Sequence, residues 1–213
     1  MSPLKSGIVK ILFFFMEWSC KINYPFLSAF IIFLLLRKIK KIKYHSENKT
    51  TFLVLHKEGG IDDLICAYEN KNSKINYLNL NRRLIKIIYD QFLKNKLYDY
   101  DYNYYNKNIV DNKKKYFNYL EKVIFYLKKL INFKGIINFN IFYYAEVELQ
   151  KVCKKQKLKF LTIHKESAHP IIYRKCLKWI YKNTANNFYG DKIYLYNKDE
   201  KKLLLESKVC KSN

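Results

Sequence analysis

Two hydrophobic periods alternate along this chain. From Thr51 onward, short apolar runs of strand type occur at Phe52 to Leu55, Ile75 to Leu80, Ile136 to Phe139, Leu158 to Ile163 and Lys192 to Tyr196. Between them the apolar positions recur at helical spacing. One helix is expected to begin at Leu64, Ile65, Ala67 and Tyr68. A second covers Arg82 to Leu93, with Leu84, Ile87, Ile88 and Phe92 on one face, and a third covers Tyr116 to Ile131. Further helices are predicted around Ala145 to Cys153, over Ile171 to Tyr181 with Trp179 on the apolar side, and over Asp199 to Ser207. Residues 97 to 112 carry neither period and read as a loop. Its tyrosines either stack on sugars or bases or reflect composition alone.

The segment from Gly135 to Pro170 organises the rest. Strand, helix and strand follow one another within a length that suits a βαβ unit, so the two strands should be parallel. Extending that order along the chain predicts an α/β fold: a Rossmann-like open, mostly parallel sheet with helices on both faces, over residues 51–213. Residues 1–50 differ. Ile8 to Met16 and Pro25 to Leu36 are nearly unbroken apolar runs, followed by Arg37, Lys38, Lys40, Lys41 and Lys43. Each run is shorter than the roughly 18 to 20 residues that cross a bilayer. The segment reads as an apolar and basic helical element lying in the plane of a membrane, on its cytoplasmic face. A pair of helices buried in the domain is the other reading, and a span that recruits the residues around Tyr24 a third.

Composition adjusts this picture. Tyr, Lys, Asn and Ile are abundant and Gly and Pro scarce, a bias expected of an AT-rich genome. The formal charge of +23 therefore arises partly from lysine drift. It is compatible with an anionic membrane surface, and less so with nucleic acid, because no arginine stripe or RNA-recognition signature accompanies it. The five cysteines form no Cys-x-x-Cys pair; they suit a reducing compartment and read as small buried side chains.

Two segments repeat one pattern. Phe52 to Glu58 and Phe160 to Glu166 both read F-L-x-aliphatic-H-K-E. In a parallel sheet both triplets would leave on the same edge and line one cleft, where ligands of open α/β sheets bind. His164, Glu166 and His56 are the candidate acid–base residues, since histidine can take a hydroxyl proton and glutamate can orient or replace it. Lys57 and Lys165 would neutralise phosphate, and Glu58, on the substrate-binding side, would orient these groups or act as base itself. Gly59 and Gly60 permit a close backbone approach to substrate, and Asp62 would bind sugar hydroxyls or cap the next helix. A plain loop start repeated by chance is the competing reading. His164, Glu166 and His169 lie close in sequence but lack a metal-binding spacing, so no metal site is assigned. Dinucleotide, Walker and serine-nucleophile motifs are missing from the sequence.

The pieces LVLHKEGGIDDL, AEVELQKVCKKQKLKFLTIHKES and KIYLYNKDEKKLLLESKVCKSN resemble the N-terminal, acceptor-side domain of GT-B-fold glycosyltransferases of bacterial surface-polysaccharide biosynthesis. In those proteins a strand and helix end in an LLESG turn; here Lys208 stands in place of the glycine. The resemblance implies a single GT-B-type half binding a glycan or lipid-linked acceptor. The nucleotide-sugar donor would sit on a second, C-terminal domain or a partner chain, and this chain would bind no cofactor itself. It implies hexosyl transfer only when that domain completes the cleft. A non-enzymatic, membrane-associated scaffold of envelope assembly is the alternative from another class, and a basic nucleic-acid-binding protein the second.

Overall fold

The computed structural model describes residues 3–39, 50–55, 62, 64–65, 75–93, 107–141, 143–164, 175–176, 178–179 and 188–210. It is an α/β protein built on a six-stranded mixed sheet. The strands are β1 (Arg37–Lys38), β2 (Thr50–Leu55), β3 (Ile75–Leu80), β4 (Gly135–Asn138), β5 (Lys159–His164) and β6 (Lys192–Leu195), in the spatial order β1-β3-β2-β4-β5-β6. All pairs are parallel except β1 with β3. The described helices are α1 (Pro3–Lys21), α2 (Pro25–Leu35), α3 (Arg82–Phe92), α4 (Lys107–Leu130), α5 (Tyr144–Lys155) and α6 (Lys198–Glu206).

The parallel layer follows from hydrophobic registration. Leu53 and Leu55 of β2, Ile136 of β4 and Phe160 of β5 point to one face, where they meet the buried sides of α3, α4 and α5. Val54 and Ile137 point to the other, against Ile39, Leu64 and Ile65. β2, β3 and β4, at the centre of the sheet, are buried on both sides, as parallel strands are. Gly135 admits the close crossing at the start of β4: a Cβ there would lie 2.4 Å from the Lys159 carbonyl oxygen and 2.6 Å from the Phe52 ring.

The core also crosses the boundary expected at residue 50. Met16 and Cys20 of α1 and Ala29, Ile31 and Ile32 of α2 belong to the same core as the sheet. A buried triangle of hydroxyls ties three helices together. Ser19 Oγ lies 2.5 Å from Ser28 Oγ, and Tyr119 Oη lies 2.8 Å from Ser28 and 3.2 Å from Ser19. β1 then adds Arg37 and Lys38 to the edge of the sheet beside Asn79 and Leu78. Yet one face of α1 and α2 stays bare: Ile11, Phe14, Trp18, Phe30 and Leu34 are all exposed. No described helix is long and apolar enough to cross a membrane.

Several sequence expectations shift. The loop expected over 97 to 112 is helical from Lys107, because α4 starts nine residues before its first buried side chain, Tyr116. Trp179 is 65 % exposed rather than on a packed face, while its neighbour Lys178 reaches Glu206 of α6 at 2.9 Å. Of the cysteines, Cys20 and Cys153 are buried as expected, but Cys176 is exposed and Cys210 half-buried; Cys66 lies outside the described residues.

Glycine scarcity leaves a mark on the helix ends. α1, α5 and α6 each finish in a Schellman turn, with bonds such as Val209 N–H to Leu204 O (3.1 Å) and Lys208 N–H to Leu205 O (3.0 Å). The left-handed residues are Asn23, Lys157 and Lys208, with φ of 53°, 56° and 58°. Other proteins usually place glycine at such positions.

Candidate functional site

β2, β3, β4 and β5 run parallel, so their carboxyl ends share one edge. The strand order reverses between β2 and β4, and ligand crevices of open α/β sheets form at such a reversal. On this edge the chain assembles a buried polar network. Asn81 follows β3 and caps α3, its side-chain oxygen accepting the Arg83 N–H at 2.9 Å. Arg82 is thereby the first residue of α3. Its Nε donates to Glu146 Oε1 at 2.6 Å, and its guanidinium stacks 3.3 Å above the Tyr143 ring.

Glu146 stands in the first turn of α5, where the helix dipole favours a carboxylate. It is 1 % exposed, and its second oxygen accepts from Asn138 Nδ2 at 2.8 Å. Asn138, the last residue of β4, also donates to the Asn140 carbonyl at 2.7 Å and accepts from Thr162 Oγ1 of β5 at 2.5 Å. The bonds shown thus run from α3 through α5 to two adjacent strand ends. They hold the Arg82 side chain, 28 % exposed, in one orientation at the strand-order reversal. Its charge is balanced by Glu146, so what a guanidinium fixed this way offers a ligand is oriented N–H donors rather than an uncompensated cation.

His164 takes a different place from the one its sequence pattern implied. It is the last residue of β5, fully buried, with Nε2 3.6 Å from Glu200 Oε1 of α6. The β5 strand extends one residue further than the apolar run, which turns His164 inward under α6 instead of out into a cleft. Glu200 is also buried, and its backbone N–H is capped by Asn197 Oδ1 at 2.7 Å. Asp62 is exposed on a helical residue. His56, Lys57, Glu58, Gly59, Gly60, Lys165 and Glu166 lie outside the described residues. Among the described residues, no cluster of three or more His, Cys, Asp or Glu is placed to hold a metal.

Arg82, Asn138, Glu146 and Thr162 were not singled out by the sequence reading. The available signal was rarity: only four arginines occur beside 37 lysines, and Arg82 is one of them. Burial raises the pKa of the Tyr116 hydroxyl well above its ordinary value. That hydroxyl donates to the Ala145 carbonyl at 2.7 Å, which pins the start of α5 and with it Glu146. The chain matches no family model, no curated protein and no solved structure.

Proposed function

We propose that this chain is the acceptor-side layer of a GT-B-type glycosyltransferase of cell-envelope polysaccharide or glycolipid synthesis, acting on the cytoplasmic face of a membrane. The observation that carries the reading is the carboxyl edge. A fixed, partly exposed Arg82 stands where an open α/β sheet binds its ligand. The donor nucleotide sugar belongs to a second Rossmann-like layer, on another domain or chain, and that layer supplies its diphosphate site.

Two further features support the reading. Lys208 occupies a left-handed turn at the end of α6, the conformation that explains a glycine at this place in the proteins the chain resembles. The exposed aromatic face of α1 and α2 suits the headgroup region of a bilayer, where it would hold the carboxyl edge near a lipid-linked acceptor. His164, wholly buried against Glu200, would position the β5–α6 end of the crevice rather than touch a sugar.

The test is genetic and chemical. Disrupting the gene and profiling lipid-linked glycans by mass spectrometry is expected to remove one glycosyl residue and accumulate its acceptor. An unchanged glycan profile overturns the proposal. The burial of His164 favours a second reading, a membrane-bound scaffold without transfer activity. That reading predicts lost assembly of the glycan machinery with each isolated transfer step intact.

A further inference from the structure

A cavity of about 440 Å³ opens near the same edge of the sheet, beyond β3. Val9 and Phe13 of α1 and Leu35 at the end of α2 form its apolar wall. Arg37 of β1, Arg83 of α3, Asn79 and Asn81 form the polar one. Lysine is the default cation of this chain, at 37 of 41 basic residues, yet two of the four arginines, Arg37 and Arg83, line this cavity. A planar guanidinium recognises phosphate by paired hydrogen bonds, which an ammonium cannot reproduce, so arginine in a lysine-biased chain marks a geometric demand.

Arg82 is bonded to Glu146, but among the described residues neither Arg37 nor Arg83 has a carboxylate partner. Arg83 only lies 5.0 Å over the Phe13 ring, at the seam of the two walls. Asn79 Oδ1 is buried without a hydrogen-bond partner among the described residues. The N-terminus of α3 adds its dipole on the same side.

We infer that this cavity binds the phosphate of a lipid phosphate, with Arg37 and Arg83 on the phosphate oxygens and Val9, Phe13 and Leu35 against the first carbons of the chain. The inference deepens the acceptor reading, on which its biological meaning rests, by naming where a lipid-linked acceptor is held. The binding itself involves no sugar transfer and is measured separately.

The experiment is titration calorimetry of the full chain at 0.15 M salt with monomeric dihexanoyl phosphatidic acid, inorganic phosphate and dihexanoylglycerol. The lipid phosphate is expected to bind at least about tenfold more tightly than either of the others, since each lacks one of the two contacts. Arg37→Gln and Arg83→Gln should each weaken it by about tenfold, the loss of a charge-assisted hydrogen bond. Both side chains are exposed, so the variants fold, as their urea midpoints will show. Arg83→Lys should not restore affinity, whereas Lys10→Gln, outside the cavity, should leave it unchanged. Equal binding by wild type and both glutamine variants, or equal weakening by Lys10→Gln, overturns the site. Inorganic phosphate binding as tightly as the lipid overturns the lipid assignment. Lipid binding that survives alongside an unchanged glycan profile would refute the transferase reading alone.

Discussion

Replacing Glu146 with glutamine tests whether the carboxyl-edge network acts as a unit. Glu146 accepts from Arg82 Nε at 2.6 Å and from Asn138 Nδ2 at 2.8 Å. Glutamine has the same shape but one acceptor, so its NH2 group must face one of those two donors. At least one hydrogen bond to a charged group is lost, worth about 1.5–3 kcal/mol. A fully buried pair broken on one side costs about 3–5 kcal/mol. Arg82, however, is 28 % exposed and regains part of its hydration. The expected loss is therefore about 2 kcal/mol. With a urea slope of about 2.5 kcal/mol/M, the unfolding midpoint should fall by roughly 0.8 M with the slope unchanged. Arg82→Leu should cost at least as much, because it strands a carboxylate that is almost wholly buried and loses the stacking on Tyr143. The double variant removes both charges and should recover about 1–2 kcal/mol relative to the sum of the singles. A coupling below about 0.5 kcal/mol would refute the argument, since the two side chains would then act independently.

Three other outcomes are expected. Lys208→Gly relieves a left-handed lysine at φ 58°, a strain of about 1–2 kcal/mol, against a glycine entropy cost of about 0.5–1 kcal/mol; a rise in melting temperature checks the net gain, and a fall would show the turn unstrained. Burial pushes the Cys153 thiol up from its ordinary 9.0, so its contribution is present below pH 9 and lost as pH rises, when only the unfolded chain ionises. Wild type should lose about 1.4 kcal/mol relative to Cys153→Val by pH 10, read from urea midpoints, and parallel pH profiles would contradict this. Phe14 and Trp18 are 65 % and 45 % exposed, so changing both to aspartate should weaken sedimentation with phosphatidylglycerol vesicles by at least about tenfold at little cost in stability; undiminished sedimentation would remove α1 from the membrane contact.

Periodicity along the chain determined the local elements. Runs such as Phe52 to Leu55 and Ile75 to Leu80 can bury both faces only as parallel strands, and the intervening helical spacing supplies the crossovers. The α/β layer and most helices were therefore readable from neighbours in sequence. Tertiary structure decided what depends on partners distant in the chain. Whether α1 and α2 stood apart or joined the core turned on Ser19 and Ser28 meeting Tyr119, some 90 to 100 residues away. β1, two residues long, exists only because Asn79 and Leu78 lie open at the sheet edge. His164 looked like an exposed loop start until one more residue of pairing with β6 turned it inward onto Glu200. Arg82, Asn138, Glu146 and Thr162 share no local motif, since they come from four elements. A hydrogen-bonded network of that kind is set by the crossing of strand ends and helix starts, and no spacing along a single chain encodes it.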